Sequence, residues 1–194
     1  MKNNFFLISI IFFIFSLFET KADELDVNAS KILFNNDTKI TILEGNVSAV
    51  DSKKNKIFSE FAEYDKLKEY FETTGSTKIL TAQGYEIKSS NIIFDNKKNI
   101  IISKDNTIVI DPDGNKIEMQ MFKYFSDTGI FFSKGNIEII DINDNNYIFS
   151  EIYIDQIKRK IVGSDVKFFL KQKGLTANDS NEPRFFANTL SLSD

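Results

Sequence analysis

The chain has 194 residues and a formal net charge of −4, and it contains no cysteine, histidine or tryptophan. Without thiols or imidazoles there is no disulfide scaffold, no zinc site of the usual ligand sets, no thiol nucleophile and no imidazole base. The acidic balance disfavours nucleic acid as a partner.

Residues 1–22 have the form of a signal peptide. Lys2 precedes an apolar run over 5–18, which is near the upper length of a signal core and short of the roughly 20 residues a spanning helix needs. The small residues Thr20 and Ala22 place cleavage before Asp23, so export is expected. Removing the leader takes away Lys2, Glu19 and Lys21 and makes the net charge −5. An exported chain without cysteines must be held by its core and its sheet hydrogen bonds.

From residue 23 the sequence repeats with a period of 30. Ile57-Phe-Ser-Glu-Phe-Ala-Glu-Tyr-Asp65 has counterparts at 27–35, 87–95, 117–125 and 147–155. In each copy two apolar or aromatic residues stand two positions apart, which puts them on one face of a strand. They are Ile32 and Phe34, Ala62 and Tyr64, Ile92 and Phe94, Phe122 and Tyr124, Ile152 and Ile154. Later in each copy Gly45-Asn46-Val47, Gly75-Ser76-Thr77, Asp105-Asn106-Thr107 and Gly135-Asn136-Ile137 read as turns opening a second apolar stretch. The prediction is an all-β domain over 23–175 built from about five strand-turn-strand units. Residues 60–72 also fit a helical period through Phe61, Tyr64, Leu67 and Phe71; the strand-like copies at 87–95 and 147–155 decide for strand. The fifth unit is predicted to break phase, with its turn at Gly163-Ser164-Asp165. Residues 171–183 read as a loop, and 185–192 restart the first-strand pattern, so a continuation beyond Asp194 is expected.

No catalytic constellation is present: there is no glycine-rich phosphate loop and no nucleophile elbow. Glu60 and Glu63 read as a solvated strand face rather than an acid–base pair. The loops 111–115 and 141–146 lack the downstream glutamate of a calcium loop. No enzyme activity, cofactor or metal is therefore expected.

The apolar columns remain as a candidate site. The expected groove lining is Phe34, Ala62, Tyr64, Ile92, Phe94, Phe122, Tyr124, Ile152 and Ile154. A second-strand column at Ala49, Ile79, Val109 and Ile139 joins it. Such columns form either a packed core or, between two curved sheets that open along one edge, a groove for acyl chains. A stack of repeats also exposes edge strands that can pair with a partner.

The recurring Gly-Asn-Val/Ile motif, followed by a strand with small, acidic and aromatic residues ending in Asp, resembles the OstA-like β-jellyroll family of lipopolysaccharide transport, which includes LptA, LptC and the N-terminal region of LptD. Here it is Glu44-Gly45-Asn46-Val47 leading to Ser59-Glu60 and Tyr64-Asp65. It returns as Lys134-Gly135-Asn136-Ile137 leading to Ser150-Glu151 and Ile154-Asp155. The likeness covers about residues 25–170. The tail, with Gly163 to Leu170 and Asn181-Glu182-Pro183-Arg184, looks most like the region of LptD after its jellyroll; the chain lacks barrel strands and the cysteines that many LptD proteins use there. The resemblance implies a non-enzymatic OstA-like β-jellyroll in the periplasm, associated with the outer membrane, that shelters lipopolysaccharide acyl chains. It implies other Lpt jellyroll proteins as edge-strand partners, and an outer-membrane barrel with its lipoprotein plug. A stand-alone LptA-like bridge, or a secreted structural β-repeat protein without ligand, are the alternatives.

Overall fold

The computed structural model describes residues 26–50, 54–82, 84–125, 127–155, 157–158, 160–171 and 183–193. The expected leader and most of the loop at 171–183 lie outside the described residues. Fifteen strands follow in chain order: β1 (Asp26–Asn28), β2 (Lys31–Phe34), β3 (Ile40–Val50), β4 (Lys56–Asp65), β5 (Tyr70–Leu80), β6 (Glu86–Ser90), β7 (Ile93–Asp95), β8 (Ile100–Ser103), β9 (Thr107–Ile110), β10 (Lys116–Met119), β11 (Phe122–Phe125), β12 (Ile130–Ile140), β13 (Asn146–Asp155), β14 (Lys160–Phe169) and β15 (Arg184–Ser193). There is no helix among the described residues, and 60–72 is a β-hairpin, as the repeat required.

All pairings are antiparallel; the long strands pair with their chain neighbours (β3 with β4, β4 with β5, β12 with β13, β13 with β14, β14 with β15), whereas among the short ones β1 pairs with β3, β5 with β7, β6 with β9, β8 with β11 and β10 with β12. The long strands bend at mid-length, so their two halves belong to two ladders. The first ladder runs through β2, the start of β3, the end of β4, the start of β5, then β7, β8, β11, the start of β12, the end of β13, the start of β14 and the end of β15. The second takes the other halves, with β1, β6, β9 and β10. One cluster of buried residues from both ladders fills the space between them.

The predicted turns at Gly45, Gly75 and Gly135 are bends inside continuous strands β3, β5 and β12. Each glycine has a positive φ (72°, 80° and 110°), and the register slips at Glu44/Val47 and Lys134/Ile137. A left-handed residue with a bulge turns a strand without ending its pairing. The unit is therefore two bent strands joined by a hairpin. The predicted phase break in the fifth unit is likewise absent, because Asp165 takes the left-handed conformation (φ 50°) in phase with Gly135, inside β14. Gly163 serves packing instead, since a Cβ there would lie 2.7 Å from Cδ1 of Phe149.

Small hydroxyl side chains fill the seam where the ladders meet. Thr77 Oγ1 donates to Thr73 Oγ1 at 2.8 Å, and Ser89 Oγ lies 2.7 Å from Ser103 Oγ and 2.8 Å from Thr107 Oγ1. Ser133 Oγ donates to the Met121 carbonyl at 2.7 Å, and the Ile92 N–H donates to Thr73 Oγ1 at 3.0 Å. These buried hydroxyls pair with one another and with backbone groups freed by the bends.

The hairpins at the far side are closed by side chains on the same period. In the first ladder Asp65 accepts the N–H groups of Leu67 and Lys68, and Asp95 and Asp155 accept those of Lys98 and Lys158. The same lysines reach back to the carboxylates at 2.8, 2.8 and 3.3 Å. In the second ladder Asn55, Asn115 and Asn145 each accept an N–H from the next hairpin of the stack, that of Ala82, Ile142 and Lys171, at 2.9–3.0 Å.

The Lys68 side chain holds the Asp65 carboxyl below its ordinary 3.8, and the Lys158 N–H does the same for Asp155. At Asp95 burial pushes upward, but hydrogen bonds from Lys98 outweigh it. A carboxyl with a lower pKa folded than unfolded adds stability above its unfolded pKa and loses it as pH falls through the folded one. The urea midpoint is therefore expected to hold down to about pH 5 and to drop below about pH 4. Asp155→Asn should shallow that drop; an identical acid profile would rule these hairpin carboxylates out as its cause.

Candidate functional site

The inner face of each ladder carries two rows, one at the seam and one near the hairpins. In the first ladder the seam row is Ile32, Leu43, Ala62, Thr73, Ser103, Phe122, Ser133, Ile152 and Gly163, each the register partner of its neighbour except between Thr73 and Ser103, where Ile92 is bonded to Thr73. From Thr73 through Ile92 to Gly163 small and bulky residues alternate along it. The row near the hairpins is Phe34, Thr41, Tyr64, Phe71, Phe94, Ile101, Tyr124, Phe131, Ile154 and Ile161. From Tyr64 onward it is apolar or aromatic at every strand. Opposite it the second ladder presents Val27, Ala49, Ile57, Ile79, Ile87, Val109, Ile117, Ile139, Tyr147 and Phe168.

The sequence-predicted lining residues divide between the two rows. Ala62, Ile92, Phe122 and Ile152 stand at the seam and are buried; Tyr124 and Ile154 are buried in the outer row, with Tyr64 and Phe94 half-buried beside them. Phe34 lies at the end of that row on β2 and is 55% exposed. The column Ala49, Ile79, Val109, Ile139 is buried on the facing ladder. Sequence reasoning missed Phe71, Ile101 and Phe131, which fill the gaps from Tyr64 to Ile154, and Ile161, which extends the row beyond it. Their 30-residue spacing was the available signal. Rings in the rows touch: Phe71 and Phe94 centroids are 5.8 Å apart, Phe122 and Phe131 6.0 Å, Tyr147 and Phe168 5.3 Å.

The interior offers little polar chemistry. Burial and the nearby Asp141 carboxylate push the Tyr147 phenol up to about 12, and burial with Asp111 and Asp113 pushes Tyr85 upward. Both stay neutral at ordinary pH. Asp111 Oδ1 accepts the N–H groups of Asp113 and Asn115 while Oδ2 accepts from Asn115 Nδ2, so its lone pairs are directed into its own turn. Asp141 repeats the pattern with Asn143 and Asn145. Among the described residues no group of three or more acidic side chains is placed to hold a metal.

Among the described residues the strands at both ends of the stack are unpaired on one side. β1 and β2 pair only with β3, and β15 pairs only with β14. Ile32 on the first edge is 53% exposed, and Phe185 and Phe186 on the last are 54% and 66% exposed. Unpaired backbone with large apolar side chains is a template for another strand.

These features define a β-jellyroll: two antiparallel ladders of bent strands around an apolar interior, with unpaired edges. No family model and no curated protein matches the sequence. Among solved structures, the chain is similar to the crystal structure of LptH from Pseudomonas aeruginosa, described as the LptA-homologous periplasmic component of the conserved lipopolysaccharide transport device. The identity is 16% and the TM-score 0.49, over 58% of this chain and 83% of that one.

Proposed function

We propose that the chain is a non-enzymatic periplasmic module that carries lipopolysaccharide toward the outer membrane, sheltering acyl chains between its ladders. The observation that carries this reading is the unbroken apolar row from Tyr64 to Ile161 facing a second apolar row, in a stack whose end strands are unpaired on one side. Burying an acyl chain is favourable by roughly 0.8 kcal/mol per methylene, and an apolar interior that continues from unit to unit would let tails that part the ladders advance without returning to water. The Gly-Asn-Val/Ile repeat favours lipopolysaccharide among lipids. β2 and β15 would join the chain to neighbouring jellyroll proteins by strand addition. The sequence of the tail favours a role like the N-terminal region of LptD, beside an outer-membrane barrel and its plug. The unpaired edges at both ends favour an LptA-like bridge as the second reading.

A photoreactive residue at Phe94 or Tyr124, in cells making lipopolysaccharide, is expected to give an adduct carrying lipopolysaccharide. Lys88, on the outer face of β6, should give none. A folded, exported protein without an adduct at either inner position would overturn the reading and leave a structural β-repeat protein.

A further inference from the structure

The outer face of the first ladder has the wrong character for a solvated surface. An antiparallel sheet with one wet face alternates apolar-in with polar-out. On the second ladder the half-exposed Leu80, Ile108, Ile110 and Ile140 alternate across the register with charges that pair among themselves: Lys78 and Lys88 hold Glu86 at 2.7 and 2.5 Å, and Lys116 pairs with Glu118. At the matching outward positions of the first ladder, Ile93, Ile102 and Phe132 lie in one row, with Ile100, Phe125 and Ile130 in the next. Each is only partly covered.

The charges in that row have a definite order. Successive register partners read Glu63, Glu72, Ile93, Ile102, Lys123, Phe132 across β4, β5, β7, β8, β11 and β12. Its centre is acid, isoleucine, isoleucine, base. Glu63 and Glu72 stand opposite each other, a like-charge pairing that destabilises a sheet. Among the described residues neither glutamate forms an ion pair, and Lys123 forms none.

We propose that this face pairs with the same face of a second copy, about a two-fold axis parallel to the strands between β7 and β8. A two-fold interface is self-complementary, so each position must suit its image. The axis lies midway between Glu72 and Lys123, which are three strand spacings or about 14 Å apart. It therefore sets Lys123 of each copy over Glu72 of the other and brings cations to both acid pairs. It stacks Ile93 on Ile102 at the centre and sets Tyr70 against Phe125 in the adjoining row. Aligned packing of two twisted sheets keeps the centre in contact, and the long Lys and Glu side chains reach across where the sheets diverge. This contact uses a face, whereas the strand addition proposed above uses edges, so the two can coexist.

The test is sedimentation equilibrium of the mature protein with reciprocal charge variants, their folding checked by circular dichroism. The native protein should dimerise reversibly. Glu72→Lys and Lys123→Glu should each weaken dimerisation roughly tenfold or more, because each sets like charges face to face. The double variant should restore it. Association indifferent to both single variants would be edge pairing and would overturn the proposal. So would a monomeric protein that floats with phosphatidylcholine vesicles and loses flotation in Ile102→Lys, which would assign the face to a lipid surface.

Discussion

Replacing Phe71 by alanine is expected to cost about 3–5 kcal/mol of folding stability. Phe71 is 3% exposed, sits between Tyr64 and Phe94 as their register partner on adjacent strands, and has its ring 5.8 Å from that of Phe94. Truncation removes the transfer free energy of an aromatic ring and leaves a cavity flanked by paired strands that cannot close in. Phe58→Ala, on the outer face of β4 at 38% exposure, should cost under about 1 kcal/mol. Urea denaturation of the two variants measures the difference. A loss below about 1 kcal/mol for Phe71→Ala would mean that the row is loosely packed without lipid, which bears directly on how much of the interior must rearrange to admit an acyl chain.

Asn115→Leu is expected to destabilise by about 2–3 kcal/mol, although leucine fills a similar volume. Asn115 is 1% exposed, accepts the Ile142 N–H at 2.9 Å and donates to Asp111 Oδ2 at 2.7 Å. Leucine leaves the partly buried Ile142 N–H and one oxygen of the buried Asp111 carboxylate without those partners. Thermal unfolding should show the loss, and Asn143→Ala on the exposed tip of the neighbouring hairpin should stay within about 0.5 kcal/mol of the native protein. Equal effects at both positions would remove the asparagine series as the fastener between units. Asp111→Ala combined with Asn115→Leu should cost less than the sum of the two, since both remove the same hydrogen bond.

The period of 30 made the all-β fold and much of the buried column legible in the sequence, because alternation and spacing are local signals. The bends were read wrongly for a physical reason. Gly45 and Asn46 look like turn residues since both accept positive φ, and only the continued pairing of β3 with β4 on either side shows that the strand goes on. The turn at Gly163-Ser164-Asp165 is phased on its glycine in the sequence, whereas the bend is carried by Asp165, a non-glycine residue at φ 50°. The interior was half-read: the motif drew attention to Ile92, Phe94, Phe122 and Tyr124, whereas Ile101 and Phe131 come from the alternate strand of each unit and reveal themselves as neighbours only once the register is known. The outer row from Glu63 to Phe132 could not be assembled from sequence at all, because it takes one residue from each of six strands.

The pairing of strands that lie near one another in the chain also governs how the protein is made. Partners lie within a few tens of residues, so loop closure is inexpensive for a β protein and contact order is low. Folding can begin at the first hairpins before the rest of the chain is available. A closed barrel must wait for its last strand, whereas here every added hairpin leaves a growing tip of the same kind. That tip cannot distinguish the chain's own next strand from one offered by another molecule. The interval before β15 docks on β14 is accordingly when the chain is most open to misassembly, and when a chaperone that masks strand edges would matter most.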